Sequence, residues 1–481
     1  MRPFRVYDSW SRSVRPFVPR TPPRVDLFVC GMTPYADAHL GHGRTAVAFD
    51  VVARALRHWG YRVFYVQNVT NLDDKVIARA GSEGAEPLAL SQRHFQAYRD
   101  TMERLRVRSV NHYPFATDYV PEILAQIGQL LERGFAYAAR GSVYFEVGRF
   151  PGYGRLSGTR VGEQRPGSRI EPDPAKRHPE DFALWKAATP GEPSWESPWG
   201  PGRPGWHIED TAITLRLLGE QYDLHGGGVE LKFPHHEAEI ALAESTTGLA
   251  PFVNYWMHAG LLTLKGEKMA KSLGNIVRLD EALDRFGPGV LRFYYLNSVY
   301  RNPLEFEEGK SLEEAREAHA GLLAPYRRLT EELARTDPER PGRELAPELS
   351  EEVAAAVGRL EASLAEDFNT REAIGSLFGW SRRLALELAG LSELSGAALQ
   401  ELGEPFRWAE ELLGIAPEPT GSSPSDLEPV VGVALAARAR ARARGDYAEA
   451  DRLREELGRA GIVLEDDGSG TRWSSSDVRD R

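Results

Sequence analysis

The sequence predicts an α/β protein that opens on a parallel sheet and continues into an α-helical bundle and a small C-terminal domain. Apolar runs at residues 25–29 and 62–69 predict two buried strands, and a stretch with helical periodicity, residues 45–59, lies between them. A strand–helix–strand order implies a right-handed crossover and therefore parallel strands. Two long runs rich in Ala, Leu, Glu and Arg, residues 311–336 and 349–389, predict an antiparallel helical bundle.

The composition is ordinary for a soluble globular protein of about three domains, with 481 residues, 42% hydrophobic and 27% charged. We expect a cytoplasmic protein without a membrane partner, because the N-terminus has no apolar signal core and no apolar run reaches the roughly 18 residues of a membrane span. The single cysteine, Cys30, excludes internal disulfides. The net charge of −11 argues against indiscriminate nucleic-acid binding but leaves room for a local basic face.

The rest of the first half alternates between helical and extended patterns. Residues 1–23 are basic and rich in proline, which is typical of an edge strand or an arm. The periodicity predicts helices at residues 91–105 and 121–133 and a strand at 141–147. Residues 153–204 are irregular and rich in Pro and Gly, which predicts an insertion between two halves of the sheet domain.

Beyond the insertion the pattern returns to that of a core. We predict a short strand at residues 222–225, a turn that exposes the glycine backbone at 226–228, and helices at 235–245 and 288–299.

The C-terminal part is divided by a break and a linker. Residues 367–370 predict a helix break, and residues 417–429, rich in Pro, Gly and Ser, predict a linker. The last domain begins near Val430. Its arginines alternate with alanine, and on composition alone they indicate a solvated helix: Arg438, Arg440, Arg442 and Arg444.

The first candidate site follows the first strand. His39 and His42 stand three apart where a helix opens, so both face the same side. A helix N-terminus favours anions such as phosphates, and Gly41 allows a close approach to the backbone. A helix-capping loop with two surface histidines is the alternative.

Several motifs carry a resemblance to a known family. HLGH at residues 39–42 and GEKMAKS at 266–272 are similar to HIGH and KMSKS, the two signatures of class I aminoacyl-tRNA synthetases. FVCG at 28–31, GWHIEDTA at 205–212 and two further blocks within 223–260 resemble cysteinyl-tRNA synthetases in particular. The resemblance extends over nearly the whole chain.

The resemblance implies a Rossmann-like, parallel-sheet catalytic domain with an inserted connective segment. The domain boundaries it implies are 1–150 and 205–250 for the two halves of the catalytic domain, 151–204 for the connective insertion, 251–310 for the KMSKS-type loop and stem-contact region, 311–416 for the tRNA-binding helical bundle, and 430–481 for the C-terminal anticodon-binding domain.

The resemblance also implies roles for individual residues. Catalysis is assigned to His39, His42, Lys268 and Lys271, and ATP binding to the same four residues with Gly41. The residues that match family positions near the cysteine substrate are Trp206, His207, His225 and Thr70. Ala270 replaces the serine of KMSKS; the lost hydroxyl costs a hydrogen bond of about 0.5–1.5 kcal/mol, so we expect activity to be kept.

The family's zinc ligands match Cys30, Asp210, His235 and Glu239, where Asp210 replaces a cysteine. Bound zinc makes a substrate thiol a thiolate at neutral pH, whereas a serine hydroxyl stays neutral and binds weakly. Asp is an accepted oxygen ligand of zinc, so we expect one Zn²⁺ per chain. A weakened or vacant metal site is the alternative.

The implied reaction is the activation of L-cysteine with ATP and Mg²⁺, followed by transfer of the cysteine to tRNA(Cys). We expect the enzyme to be a monomer. Two other hypotheses remain: a ligase that joins cysteine to an amino-sugar conjugate, and a non-catalytic paralogue that binds nucleotide or tRNA. The long C-terminal region favours a tRNA acceptor, and the intact histidines and lysines of the two signatures argue against the regulator.

Overall fold

The computed structural model describes residues 1–159, 173–264, 266–268 and 276–416, and beyond them residues 435, 438–439, 441–442, 444, 446–459, 462–467 and 470–475. The chain divides into two compact units, Met1–Ala416 and Pro417–Arg481.

The strands, in chain order, are β1 (Arg5–Asp8), β2 (Ser13–Pro16), β3 (Arg24–Met32), β4 (Arg62–Val69), β5 (Ala136–Ala139), β6 (Ser142–Phe145), β7 (Phe182–Ala187), β8 (Gly202–Pro204), β9 (Tyr222–Gly228), β10 (Val253–Ala259), β11 (Leu262–Leu264), β12 (Glu267–Lys268), β13 (Leu304–Phe306), β14 (Ile462–Asp467) and β15 (Gly470–Ser475). The helices are α1 (Leu40–His58), α2 (Asp74–Glu83), α3 (Pro87–Arg104), α4 (Val120–Glu132), α5 (Trp206–Leu217), α6 (His235–Thr247), α7 (Leu279–Leu296), α8 (Ser311–Ala334), α9 (Pro347–Ala365), α10 (Thr370–Ala385), α11 (Gly396–Leu402), α12 (Glu404–Leu413) and α13 (Tyr447–Arg459).

The central sheet is parallel, as predicted, with the order β10-β9-β3-β4. The chain leaves β3 for β4 on one side and later returns as β9 on the other, so the carboxyl end of β3 is the topological switch point where such sheets bind ligands. Leu27, Phe28 and Val29 of β3 are completely buried. A strand covered on both faces reads as a continuous apolar run, which is why β3 was predictable.

The first unit carries smaller sheets beside this one. β1 pairs with β2 as a separate two-stranded antiparallel sheet, so residues 1–23, predicted as an edge strand or an arm, contain strands that are not part of the central sheet. β5 to β8 form a separate four-stranded antiparallel sheet, which in the sequence lies between β4 and β9 of the central sheet. The irregular pattern expected for residues 153–204 was therefore wrong for β7 and β8. Phe182, Leu184 and Trp185 of β7 are buried in their own apolar cluster, but the surrounding Pro and Gly hid this short strand.

Three helices begin several residues earlier than their periodicity predicted, and one of them is α3, which begins at Pro87 and not at residue 91. α1 begins at Leu40 and not at residue 45, because His39 and His42 form a capping box where Ser, Thr or Asp usually stands. α7 begins at Leu279 and not at residue 288. Its backbone breaks at Gly287 (φ 73°), directly before Pro288, and the sequence pattern indicated only the part after the break.

The glycines of β9 are part of the strand and not the turn that the sequence predicted. Gly226 pairs with Met257 of β10 and is buried. A Cβ at Gly226 would lie 2.3 Å from the Phe49 ring, and one at Gly227 would lie 3.0 Å from the His236 ring. These glycines therefore serve close packing between the strand and its neighbours.

The helical bundle consists of α8 to α12, with the predicted break between α9 and α10. Asp367 and Phe368 both have positive φ there (58° and 49°). The buried Arg292 of α7 attaches the bundle to the sheet, because it donates hydrogen bonds to Asp50 of α1 (2.8 Å) and to the backbone carbonyl of Leu413 (2.6 Å).

Among the helices within the described residues, none is both long and apolar enough to cross a membrane.

The C-terminal unit contains α13 and the antiparallel pair β14–β15. Arg438 is buried, so the expectation that the alternating arginines lie on a solvated helix was wrong at this position. The predicted linker, residues 417–429, lies outside the described residues, as does Arg440.

Candidate metal centre and nucleotide-binding edge

Four predicted metal ligands meet at the switch point of the central sheet. Cys30 lies near the end of β3, Asp210 on α5, and His235 and Glu239 on the same face of α6. All four are buried, and one donor atom from each lies within 4.8 Å of the others. The sequence could place His235 and Glu239 on one helix face, but only the fold brings Cys30 and Asp210 to them.

The individual distances suit a small cation. Asp210 Oδ2 lies 3.3 Å from Cys30 Sγ and 3.1 Å from His235 Nε2. Glu239 Oε1 lies 3.1 Å from His235 Nε2 and 3.8 Å from Cys30 Sγ. Bonds of zinc length place the corners of a tetrahedron about 3.3–3.8 Å apart, so the four donors stand close to the required spacing.

The electrostatics of the group also fit a metal. Burial raises the pKa of the Cys30 thiol, and the carboxylates of Glu239 and Asp210 raise it further. Burial lowers the pKa of His235, but the same carboxylates outweigh this and raise it to about 10. Glu239 Oε2 is buried and makes no hydrogen bond in the described part of the chain. Two carboxylates and a thiol held this closely suit a divalent cation, which reverses these pKa effects and favours the thiolate.

Asp210 is held in place from the neighbouring strand. Asn68 of β4 donates its side-chain amide to Asp210 Oδ1 and accepts the backbone N–H of Gly31 at 2.6 Å. A Cβ at Gly31 would lie 1.7 Å from the backbone oxygen of Asn68, so only glycine fits beside Cys30. A second polar group that orients a metal ligand is a usual part of metal sites.

The predicted substrate residues lie against the same cluster. His207 Nδ1 and His235 Nδ1 are joined by a hydrogen bond of 2.8 Å, and the Trp206 ring stacks on His235 with centroids 4.2 Å apart. Trp206 is 42% exposed, which leaves its other face open to solvent. His225 Nε2 lies 3.4 Å from Cys30 Sγ, and the buried Thr70 hydroxyl contacts the Glu209 carboxylate.

The sequence reasoning did not single out His236. Its Nε2 lies 3.1 Å from Cys30 Sγ, and its Nδ1 is hydrogen-bonded to His258 Nε2 at 2.8 Å. Burial lowers the pKa of both His236 and His258, which favours the neutral imidazole in each. The signal available in the sequence was the i, i+3 spacing of His236 and Glu239, which places them on one helix face.

The HLGH segment forms the other part of the site. The His39 ring accepts the backbone N–H of Gly41 (3.1 Å), and the His42 ring accepts that of His39 (3.2 Å). The two rings stack with centroids 3.9 Å apart, which confirms that they face one side. They stand at the N-terminus of the 19-residue helix α1, whose dipole favours phosphate.

The residues that follow the GEKMAKS signature, 277–279, are hydrogen-bonded to the HLGH segment and the residue before it. The Leu40 N–H donates to the Val277 carbonyl (3.1 Å), and the Leu279 N–H donates to the Ala38 carbonyl (3.0 Å). Arg278, between them, pairs with Asp37 at 3.0 Å.

His94 of α3 completes this arrangement, because its Nδ1 lies 3.0 Å from the other oxygen of Asp37. Asp37, His94 and Arg278 were not predicted, because no short motif connects three positions so distant in sequence.

The second signature itself is only partly described. Lys268 lies in β12, where its backbone pairs with Thr263 of β11. Ala270 and Lys271 lie outside the described residues. The predicted contacts of both lysines with ATP therefore stay predictions.

Sequence comparison assigns this chain to a family. Residues 16–317 match the family described as tRNA synthetases class I (C) catalytic domain, and residues 425–473 match the cysteinyl-tRNA ligase anticodon binding domain. A cysteine–tRNA ligase of Dehalococcoides mccartyi is 43% identical over 470 residues, which cover 98% of this chain and 99% of that protein. A cysteine–tRNA ligase of Methylococcus capsulatus is 45% identical, with 98% and 99% covered.

Solved structures agree at the level of the fold. A methionyl-tRNA synthetase of Mycobacterium tuberculosis in complex with methionyl-adenylate superposes with a TM-score of 0.61 at 15% identity, covering 81% of this chain and 92% of that one. Its fold likeness matches the parallel sheet and helical parts described above. Together with the full-length sequence matches, it leads to one conclusion: the chain belongs to the cysteine–tRNA ligase family of class I aminoacyl-tRNA synthetases.

Proposed function

We propose that this protein activates L-cysteine with ATP and transfers it to the 3′ end of tRNA(Cys). In the first step a cysteine carboxylate oxygen attacks the α-phosphorus of ATP, and pyrophosphate leaves. In the second step a hydroxyl of the terminal ribose attacks the carbonyl carbon, and AMP leaves. The observation that carries the proposal is the buried donor group of Cys30, Asp210, His235 and Glu239 at the switch point of a class I synthetase fold.

The four donors would hold one zinc ion, although Asp210 stands where the family has cysteine. Bound zinc supplies a site for the substrate thiol as a thiolate and so rejects serine. A pocket that recognised shape alone would separate molecules of such similar size only by about 10- to 200-fold. The chain's own contribution is to hold the donors and to order His235 through His207.

The amino acid would bind between this donor group and the N-terminus of α5. Trp206, His207, His225 and Thr70 line this region; the aromatic side chains can enclose a small substrate, and Thr70 adds a hydroxyl. Trp206 can cover the bound cysteine and exclude water, because one face of its ring is solvent-exposed while the other stacks on His235.

ATP, with Mg²⁺, would bind at the N-terminus of α1. The rings of His39 and His42 would face the triphosphate, and Gly41 would allow the backbone to approach it. Lys268 and Lys271 would bring positive charge to the phosphates as pyrophosphate leaves. The backbone hydrogen bonds between Ala38–Leu40 and Val277–Leu279 would fix one end of the lysine-bearing loop relative to the histidines.

The tRNA would extend over the rest of the chain in the order that the family implies. The catalytic halves are 1–150 and 205–250, with the connective insertion at 151–204, the loop and stem-contact region at 251–310, the bundle at 311–416 and the anticodon-binding domain at 430–481. We propose a cytoplasmic monomer, because a tRNA-charging enzyme of this kind needs no membrane and no second subunit to complete the residues named above.

The test is charging of a total tRNA pool with labelled cysteine, ATP and zinc, with excess serine as competitor and zinc content measured on the same preparation. We expect label on a single tRNA species, insensitive to serine, and about one zinc per chain. Charging without zinc would contradict the metal assignment alone. Cysteine-dependent pyrophosphate exchange without labelled tRNA would indicate a small acceptor, and the absence of both activities would contradict the enzymatic assignment.

A further inference from the structure

Cys30 and Glu239 belong to two overlapping groups of donor atoms. The first group is the proposed zinc site with Asp210 and His235. The second replaces those two residues by His225 and His236, and it is equally buried, with one donor atom from each residue within 4.8 Å of the others.

The second group has the spacing of a metal site. Cys30 Sγ lies 3.1 Å from His236 Nε2 and 3.4 Å from His225 Nε2. His225 Nε2 lies 3.2 Å from Glu239 Oε2, the oxygen that makes no hydrogen bond among the described residues. These separations are close to the roughly 3.3–3.8 Å expected between the corners of a zinc tetrahedron. The two carboxylate oxygens of Glu239 thus face different groups, because Oε1 lies against His235.

The two histidines of the second group are oriented as metal ligands usually are. A ligating imidazole typically hydrogen-bonds through its second nitrogen, which fixes the ring and its tautomer. His225 Nδ1 is hydrogen-bonded to the Tyr222 hydroxyl at 2.6 Å, and His236 Nδ1 to His258 Nε2 at 2.8 Å. His258 is held in turn by Ser9 Oγ at 2.8 Å. The remaining nitrogen of each ring, Nε2, therefore points to Cys30.

The substitution at Asp210 makes the second group competitive in this chain. A zinc ion in the first group would have one imidazole and two carboxylates beside Cys30, whereas in the second group it would have two imidazoles and one carboxylate. Zinc binds imidazole well, and a carboxylate is a harder ligand than the thiolate it replaces.

We propose that a single zinc ion has two overlapping positions in this pocket, one bound by Asp210 and His235 and the other by His225 and His236, with Cys30 and Glu239 common to both. This inference rests on the zinc of the proposed function. Its consequence is that neither Asp210 nor His236 alone is needed to retain the metal, whereas the two together are.

The test measures zinc affinity by chelator competition and the number of imidazole ligands by zinc X-ray absorption, in Asp210→Ala, His236→Gln and the double variant. We expect each single variant to keep about one zinc per chain. Asp210→Ala should show two imidazole ligands and His236→Gln one. The double variant should bind zinc at least roughly tenfold more weakly than either single variant.

Asp210→Cys sharpens the test, because it restores a second thiolate to the first group. We expect two sulfur ligands and one imidazole, with His236→Gln then causing no further loss of zinc. Glu209→Gln is the matched control: Glu209 is a buried neighbour on the same helix that belongs to neither group. Circular dichroism identifies a variant that has not folded. In that case the comparison of Asp210→Cys with and without His236→Gln tests the inference in its place.

The inference would be overturned if either single variant lost zinc as severely as the double variant. It would also be overturned if the double variant retained zinc, or if the unmodified chain bound two zinc ions. These outcomes differ from failure of the proposed function, in which the unmodified chain itself holds no zinc or charges no tRNA.

Discussion

The proposed metal pocket (Cys30, Asp210, His235 and Glu239) and the proposed nucleotide-binding edge (the HLGH segment with Asp37, His94 and Arg278) adjoin the same sheet, but they are built from different interactions. In the pocket, the side chains of Asp210, His235 and Glu239 are at most 1% exposed. At the edge, the side chain of Asp37 is 37% exposed and that of Arg278 is 45% exposed. The pocket therefore relies on buried charges in a low dielectric, and the edge on a backbone ladder with solvent-screened ion pairs.

This difference matches what each region has to do. In the proposed function, rejection of serine needs donors that are fixed before the substrate arrives, since a misplaced ligand would lose the discrimination that zinc would give. In the proposed function the edge admits ATP and releases pyrophosphate, so weak and replaceable contacts suit it. Substitutions in the pocket should therefore have large, salt-independent effects, and those at the edge small and salt-dependent ones.

The largest effect is expected from Cys30→Ser, which removes a ligand that both donor groups share. A serine hydroxyl stays neutral and binds zinc poorly, so zinc affinity should fall by at least about 100-fold. Zinc content after dialysis against a chelator and cysteine-dependent pyrophosphate exchange measure the change. The matched control is Met32→Leu, a buried change of similar volume on the same strand, which should retain zinc. Full zinc content in Cys30→Ser would refute both proposed metal positions.

An intermediate effect is expected from Asp37→Asn, which removes the charge that Arg278 and His94 share. An exposed ion pair contributes about 0.2–1 kcal/mol to holding its two partners together. If all of that energy supports ATP binding at the edge, its loss should raise the KM for ATP by about 1.5- to 5-fold at low salt. The difference should shrink at high salt, and zinc content should not change. ATP-dependent pyrophosphate exchange at two salt concentrations is the measurement.

Asp284→Asn is the control for Asp37→Asn. It breaks an exposed ion pair between Asp284 of α7, the helix that follows Arg278, and Arg104 of α3, outside the edge. A loss in Asp37→Asn that is large and independent of salt, or an equal loss in the control, would mean that the edge is not the screened assembly described here.

The smallest effect concerns His58, which, like His235, lies between two carboxylates, but at the surface. Its Nδ1 lies 2.9 Å from Glu411 and its Nε2 3.2 Å from Glu361. Burial alone lowers the pKa of His58, but these hydrogen bonds outweigh it and raise the pKa above the ordinary value. A raised folded-state pKa means that the stabilisation is complete below about pH 6.5 and is lost as the pH rises through the folded value.

His58→Gln should therefore lower the melting temperature slightly at pH 6 and hardly at all at pH 9. Melting curves at both pH values measure this, and His178→Gln, at an exposed histidine, serves as the control. An equal shift at both pH values would assign His58 a packing role in place of a charge-linked one.

Local patterns made part of this molecule predictable. β4 was predicted with its observed limits, and β3 was recognisable because a buried parallel strand is a continuous apolar run. The periodicity alone placed the start of α1 at residue 45, although the two histidines were expected where a helix opens. The strand β7 was missed because Pro and Gly surround it and it is short. The glycines of β9 looked like a turn, since a sequence does not reveal that Phe49 and His236 press against them.

The candidate site divides in the same way. Family motifs indicated Cys30, Asp210, His235 and Glu239, and the structure brings them together. His236 was not predicted because it lies on α6, whereas its partners Cys30 and His258 lie on β3 and β10. Asp37, His94 and Arg278 belong to three distant segments, and only the tertiary fold makes them neighbours.

Arg292 has a consequence for how this chain comes apart. Besides Asp50 and the Leu413 carbonyl, its guanidinium donates to the carbonyls of Leu105 and Arg106, so one side chain joins α1, the end of α3, α7 and the last helix of the bundle. A charge buried this completely cannot be left without its partners at tolerable cost. Sheet and bundle should therefore melt in a single calorimetric transition, and a fragment cut before the bundle would not be a stable smaller enzyme.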